Sequence, residues 1–417
     1  MSITTTAAAT EKMHFPFKYR MAKQILLRMA SLVEYGRIVI AEEGGETYTI
    51  GQKGGEEPEV KVHVYDAAFY AGFVYGGDIG AVESYMRNEW GCDDLYSLLR
   101  ILSRNTGLYD QTGKGWSWIT RPIHLVYGMK RRNTRKGSQK NIHAHYDLGN
   151  EFFGAFLDST LCYSCGIFNN EESTLEAAST EKMDRLCRHL NLKPEDHLLE
   201  IGTGWGGFAI HAAGNYGCDV VTATISKAQH ELASKRVLEA GLSDKVKVVL
   251  QDYRDLTGCY DKIVSIEMIE AVGHRFLPVY FRKCASLLSQ SGKMALQAIT
   301  IRDHEYDNYR KGMDFIKRYI FPGGCLPSLT VLCETLTRHT DLRITHVEDI
   351  GMHYVRTLLE WRKRFKEGLP TIKAMGYEDA TLRLWEFYFV ACAAAFAEGK
   401  ISDLQIVLSK PDALRIN

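Results

Sequence analysis

Apolar positions along this chain recur with two periods, and the change from one to the other marks its organisation. In "KYRMAKQILLRMASLVEYG" the residues Met21, Ile25, Leu26, Met29 and Leu32 fall at helical spacing, and Gly36 supplies a stop signal. "RIVIAEEGGETYTIG" predicts a hairpin turning at Gly44-Gly45, and "VKVHVYD" alternates like a half-buried strand. "DIGAVESYMRNEW" and "DDLYSLLRILSRN" return to helix. From about Asp184 strands and helices alternate. "DHLLEIG", "DVVTATI", "KVKVVLQD", "YDKIVSIE" and "GKMALQAIT" read as strands, with "GGFAIHAAGNYG" and "KAQHELASKRVLEAG" as helices between the first three. Such alternation predicts an α/β fold with a doubly wound parallel sheet. Ligands of such sheets sit beyond the carboxyl ends of the strands.

Composition narrows the function classes. A chain of 417 residues has room for two domains, and 45% apolar with 24% charged residues is the balance of an ordinary globular protein. Formal charge is zero, which removes any global attraction to nucleic acid. The start, "MSITTTAAATEKMHF", lacks a signal-like apolar core and is expected to be unstructured through residue 14. No stretch reaches the ~20 apolar residues of a membrane span, so the expected location is the cytoplasm, with peripheral membrane contact at most. Lys130, Arg131, Arg132, Arg135, Lys136 and Lys140 form an acid-free basic run. Two readings stand for it: a solvated linker, or a segment that docks on anionic headgroups.

Ten cysteines are scattered singly except for Cys162 and Cys165 in "LCYSCGIF". A zinc site needs a second close pair, and Cys325 and Cys333 are too far apart to form one. No metal is therefore expected.

"LLEIGTGWGGFAI" follows a strand and opens a helix, with Gly202, Gly204, Gly206 and Gly207 permitting a tight turn and close ligand approach. The register is not the dinucleotide one. Glu200, just before the loop, is placed to receive the amino group of S-adenosylmethionine. Asp252 and Tyr253, after the third strand, are placed for an adenine edge. The second strand ends in "VVTATISKAQ", so Thr224, Ser226 and Gln229 stand where many such enzymes carry a ribose-binding acid.

The stretches "HAHYDLGNEFFGAFLDSTLCYSCGIF", "LEIGTGWGGFAIHAA", "TISKAQ", "SIEMIEAVG", "DFIKRYIFPGGCLPS" and "EDIGMHYVRTLLEW" resemble the cyclopropane fatty acid synthase family. The resemblance implies a seven-stranded class I S-adenosylmethionine-dependent methyltransferase fold over residues 144–417. It further implies a small α+β lipid-handling domain over 15–127, joined by a basic linker at 128–143. The implied reaction is methylene transfer to the cis double bond of an unsaturated phospholipid acyl chain, at the inner face of a membrane, by a homodimer. Tyr163 and Ser164 would hold the methionine part of the cofactor, with Tyr146 and the glycine loop beside them and Gln229, Asp252 and Tyr253 round the nucleoside. Cys165, Glu270 and Tyr354 would hold a bicarbonate ion as the base. Gln297 stands where the family has a histidine, and it can offer hydrogen bonds but no positive charge. Cys392, in "VACAAAF", matches a cysteine linked to catalysis in the family, although its apolar setting suits packing.

The chemistry explains these residue types. An alkene is a weak nucleophile, so the sulfonium methyl must be held close and in line. Attack leaves a carbocation, which wants dry aromatic walls, and Phe168, Trp205 and Phe321 are the candidates. A proton must then leave. A relative that resolves the same cation into a methyl- or methylene-branched chain is the alternative, which Gln297 keeps open. A silent lipid binder with the same fold is a third reading, against which the intact site residues speak.

Overall fold

The computed structural model describes residues 4–7, 16–30, 33–51, 54–105, 133–135, 137, 138, 141 and 148–414. Tyr146, and Lys130, Arg131, Arg132, Lys136 and Lys140 of the basic run, lie outside the described residues. Two units make up the chain: residues 1–126 with 365–398, and residues 127–364 with 399–417.

The first unit holds a five-stranded sheet in the order β1-β3-β2-β4-β5. Its strands are β1 (Thr4–Ala7), β2 (Arg37–Glu42), β3 (Glu46–Gly51), β4 (Glu59–Val64) and β5 (Trp90–Cys92). The β2–β3 hairpin turns at Gly44, whose φ of 66° a glycine adopts freely. Contrary to the expectation of an unstructured start, β1 pairs antiparallel with β3. Ile38 and Ile40 on β2 face the same way as Val60 and Val62 on β4, and all four are buried. Glu42, at the end of that apolar row, is answered by Lys23 Nζ at 2.6 Å and the Tyr70 hydroxyl at 2.6 Å.

Residues 365–398 were expected in the catalytic domain; they belong to this first unit. The cause lies in helix Asp379–Ala397, which buries Leu382, Trp385, Phe389 and Val390 and packs on helices Ala68–Met86 and Leu95–Arg104. Arg383 donates from Nη2 to the Trp90 carbonyl at 2.9 Å, and Arg100 Nε meets Glu398 at 2.8 Å. Contrary to the expectation of no span-length stretch, this helix is long and apolar enough to cross a bilayer by length and composition alone; most of it is buried in the fold.

The second unit holds a seven-stranded sheet from β6 (His197–Ile201), β7 (Asp219–Thr224), β8 (Val246–Leu250), β9 (Tyr260–Ile266), β10 (Leu288–Ile301), β11 (Arg343–Asp349) and β12 (Ile401–Ser409). The order is β11-β12-β10-β9-β6-β7-β8. Strands β6 to β10 run parallel, and β12 is antiparallel to both β10 and β11. Apolar layers cover both faces: Met183, Leu186, Phe208 and Ala212 on one side, Tyr280, Phe281, Leu332 and Leu336 on the other. Strands buried on both faces read as continuous apolar runs, which is why β6 is legible as "HLLEI" with Glu200 as its one anomaly. The strand order reverses between β6 and β9, so a crevice opens at their carboxyl ends.

Candidate functional site

Glycine conformation shapes the loop after β6. Gly202, Gly204 and Gly206 have φ of 107°, 52° and 86°, a left-handed series that L side chains resist. A Cβ on Gly204 would meet nothing within 4 Å, whereas one on Gly207 would sit 2.6 Å from the Thr160 carbonyl and 3.1 Å from Cys162 Sγ. Gly207 thus lets the following helix close on the Leu161–Cys162 segment. Cys162 packs there against Met183, its sulfur 3.5 Å away. Arg236 ties the loop down, donating from Nη1 to the Trp205 carbonyl at 2.6 Å and the Thr160 carbonyl at 3.1 Å.

Glu200 is 2% exposed and accepts from the Thr222 hydroxyl at 2.6 Å. Burial pushes its carboxyl up to about 8, against the opposing pull of Thr222 and Lys182. A carboxyl held at that threshold ionises when a cationic ammonium arrives. Lys182, which no sequence motif singles out, is buried and donates from Nζ to Ser164 Oγ at 2.6 Å. Thr224, Ser226 and Gln229 form a network at the end of β7: Thr224 Oγ1 and Gln229 Oε1 are 2.8 Å apart. Burial alone would raise Asp252, but the Arg254 fork, with contacts of 2.6 and 2.8 Å, outweighs it and holds the carboxylate below its usual range. Tyr253 packs edge-on to Tyr280 at 5.4 Å.

Tyr163 stands in an aromatic box. Its ring centroid lies 5.4 Å from Phe153, 6.1 Å from Phe156, 5.1 Å from Trp361 and 6.4 Å from Phe321. Phe153 also touches Trp205 of the glycine loop at 5.1 Å, so box and loop are continuous. Of the three aromatic candidates, Phe321 lies against Tyr163 and Trp205 against Phe153. Phe168 does not join the box: Arg356 lies 4.2 Å over its ring, and His353 stacks on it. Phe153, Phe156 and Trp361 were missed, since aromatic residues at helical spacing read as ordinary core.

The residues expected to hold bicarbonate converge instead on Glu267. The Cys165 backbone N–H and Gln297 Nε2 each donate to Glu267 Oε1 at 2.8 Å, and the Tyr354 hydroxyl donates to Oε2 at 2.5 Å. Gln297 spends its second amide proton on Asp403 Oδ2 at 2.9 Å and accepts from Gln405 at 3.0 Å. Glu267 sits at φ 45°, a left-handed setting unusual for any residue but glycine. It directly precedes Met268, whose Cγ lies 3.1 Å from where a Gly202 Cβ would be. Glu270 turns elsewhere: its Oε1 accepts from the Ile299 N–H at 2.6 Å, and its buried Oε2 has no hydrogen-bond partner among the described residues. Burial first, and the neighbouring Glu267 second, push Glu270 up to about 8. The same two causes hold Asp403 well above the usual carboxylate range. Cys165 is fully buried, and burial, then Asp403 and Glu267, keep it a neutral thiol.

Glu267 was visible in "SIEMIEAVG", three residues before Glu270, but nothing in the spacing says which carboxylate turns inward. Cys392 lies on helix Asp379–Ala397, in the first unit, and not among these second-unit residues. No metal-ligand cluster was foreseen from sequence; the fold brings ligand atoms of His189, His346 and Glu348 within 4.8 Å of one another. Arg185 Nη1 already answers that carboxylate at 2.5 Å.

The profile of the mycolic acid cyclopropane synthetase family matches residues 133–406. The chain is 38% identical over 341 residues to the tuberculostearic acid methyltransferase UfaA1 of Mycobacterium tuberculosis, covering 80% of this chain and 79% of that one. It is 34% identical over 352 residues to the cyclopropane-fatty-acyl-phospholipid synthase of Escherichia coli K12, covering 84% and 87%. Among solved structures, the mycolic acid cyclopropane synthase CmaA1 complexed with SAH and CTAB is 31% identical with a TM-score of 0.61, covering 65% of this chain and 98% of that one. The seven-stranded unit has the class I S-adenosylmethionine-dependent methyltransferase fold. On these grounds the chain belongs to the mycolic acid cyclopropane synthetase family.

Proposed function

We propose that this protein transfers a one-carbon unit from S-adenosylmethionine to the cis double bond of an unsaturated phospholipid acyl chain. The observation that carries the reading is the continuity of the glycine loop with the aromatic box on Tyr163. A sulfonium seated on the loop would present its methyl beside a dry, π-faced wall, where an acyl carbocation is stabilised and shielded from water. Glu200 supplies a carboxyl for the cofactor's ammonium, and Ser164, steadied by Lys182, supplies a hydroxyl near it. Thr224 and Gln229 offer neutral hydrogen bonds to the ribose, and Tyr253 a face to the adenine. Because Asp252 is engaged with Arg254, its contribution is the turn that it caps.

Two products fit one cation. Loss of a proton from the added methyl closes a cyclopropane, whereas a hydride shift from the methylated carbon to the cationic one, followed by loss of a proton from that methyl, leaves a methylene branch. Relatives named for both outcomes, a cyclopropane synthase and a tuberculostearic acid methyltransferase, flank this chain at similar identity. The resemblance supplies bicarbonate as base; against it stand the three donors already engaged by Glu267. A phospholipid substrate places the enzyme at a membrane surface, on the cytoplasmic side and as a homodimer in our reading. Of the basic run, Arg135 pairs with Asp255 at 2.6 Å.

The test is incubation of the purified protein with S-adenosylmethionine and vesicles of a defined mono-unsaturated phospholipid. The expected result is an acyl chain heavier by one CH2, with S-adenosylhomocysteine released in equal amount. Ozonolysis then separates ring, which survives, from methylene, which is cleaved. No lipid product and no S-adenosylhomocysteine from any unsaturated phospholipid would leave the silent lipid binder as the better reading.

A further inference from the structure

We propose that Glu267 is the catalytic base, a carboxylate built into the chain at the position where the family resemblance places an exchangeable anion. The inference rests on the proposed alkene chemistry and deepens it.

A small oxyanion bound in this pocket would need donors, and the available ones are the Cys165 N–H, the Gln297 amide and the Tyr354 hydroxyl. All three point at the two oxygens of Glu267, at 2.8, 2.8 and 2.5 Å. That is the pattern of an ionised carboxylate filling an anion site. Its neighbours concentrate the charge there. Asp403 and Glu270 are both pushed up by burial and by Glu267 itself, so each of these two neighbours favours its neutral form. Gln297, bonded to Glu267 and Asp403 with one amide group, holds the two carboxyls in register. A histidine at that position would bring a charge of its own; the neutral amide suits a site whose anion is already covalently supplied.

Backbone placement supports the same role. Glu267 follows β9 at the carboxyl end of the sheet and is held at φ 45°. Strained backbone at a strand end is a feature of sites where a side chain must be aimed. Its successor Met268 abuts the glycine loop, and its own partner Tyr354 packs on Trp361 of the aromatic box at 5.9 Å, so the carboxylate is tied to both.

The alkene π pair forms the new C–C bond while the sulfonium S–CH3 bond breaks, releasing neutral S-adenosylhomocysteine and leaving the positive charge on the acyl chain. A Glu267 oxygen then takes a proton from carbon. The C–H electron pair becomes either the third ring bond or a C=C bond, and neutral lipid leaves behind a protonated Glu267. A carbon acid next to a carbocation is strongly acidic, so a carboxylate steadied by three donors is basic enough. The proton passes on to solvent before the next turnover.

Two substitutions and one probe test this. Glu267→Gln keeps the shape and removes the base; turnover should fall by about 100-fold or more, the scale of lost general-base catalysis, with S-adenosylmethionine affinity unchanged in calorimetry. Glu267→Gly, which adopts the left-handed backbone freely, should be equally slow yet recover with added formate or bicarbonate in a saturable manner, as the small anion refills the vacated position. The parent should be indifferent to bicarbonate removal and should not respond to formate. A parent that slows when bicarbonate is stripped, or a Glu267→Gln protein that keeps parental turnover, overturns the proposal. Formate binding to the Gly variant, measured calorimetrically without lipid, is independent of the reaction: no binding there sinks the anion position even if the lipid chemistry itself proves different. A parent that converts no unsaturated lipid, with formate still bound by the Gly variant, would instead refute the reaction reading alone.

Discussion

Glu200 and Glu270 are carboxyls kept in an environment that favours their neutral form, and stability should follow pH accordingly. Each is raised from 4.5 to about 8 by burial. The folded state therefore binds these protons more tightly than the unfolded state, so their contribution to stability is complete below pH ~4.5 and is lost as pH rises through ~8. Each can contribute on the order of 5 kcal/mol at most across that window, because a tenfold change in proton affinity is worth about 1.4 kcal/mol. The unliganded protein should melt at progressively lower temperature between pH 5 and 8, and Glu200→Gln should flatten that slope; a parallel slope in the variant would refute the assignment. Cofactor binding at pH 7 should release protons as Glu200 ionises against the ammonium, which calorimetry in buffers of different ionisation enthalpy reads directly. Gly204 gives a sharper residue-level prediction. At φ 52°, Gly204→Val costs roughly 1–2 kcal/mol of backbone strain and should cut cofactor affinity more than tenfold while the fold survives, because its side chain enters the open side of the loop. Glu200 stands out in the sequence because it is an acid directly before the glycine loop. The sequence is unreadable where orientation decides: Glu267 and Glu270 are three apart, and only the turn after β9 determines which one meets Tyr354.

The elements around Tyr163 come from separated parts of the chain, helix Gly149–Gly154, helix Gly351–Glu367 and the turn at Phe321, so the box could not be read from any one periodicity. Trp361 is fully buried and closes it against both Tyr163 and Phe156. Trp361→Leu should cost about 2–4 kcal/mol of stability as a large-to-small core change. It should also admit water to the cation, so hydroxylated acyl chains should appear beside the normal product in mass spectra. Unaltered product composition in a folded variant would remove the box from the chemistry. The five parallel strands were visible as apolar runs bounded by turn residues. The edge strand β11, with its alternating "RITHVED", and β12 were not picked out individually. What hid β12 is its mixed pattern: the polar Asp403 and Gln405 are buried alongside Leu404, Ile406, Val407 and Leu408, so the strand shows neither alternation nor a clean apolar run.

At the scale of the molecule, the chain departs from the second unit at residue 365 and re-enters it at 399. The natural cut between the two expected domains is therefore wrong for protein engineering. A fragment of residues 127–417 keeps helix Asp379–Ala397 but loses the helices Ala68–Met86 and Leu95–Arg104 that cover it. That fragment should aggregate or bind hydrophobic dyes, whereas the same fragment with 365–398 replaced by a short flexible linker should stay dispersed. Equal behaviour of the two in light scattering would show that the helix needs no cover. The division also sets a timetable. β12 is inserted between β10 and β11, carries Asp403 and Gln405, and is translated after every other strand of its sheet. From the end of β10 to the start of β12 a ribosome must add about a hundred residues, roughly 5–20 s of synthesis. Throughout that interval β10 lacks its antiparallel partner and Glu267 lacks Asp403 beside it, so this carboxyl cluster is assembled last, when the chain emerging from the tunnel closes its own gap.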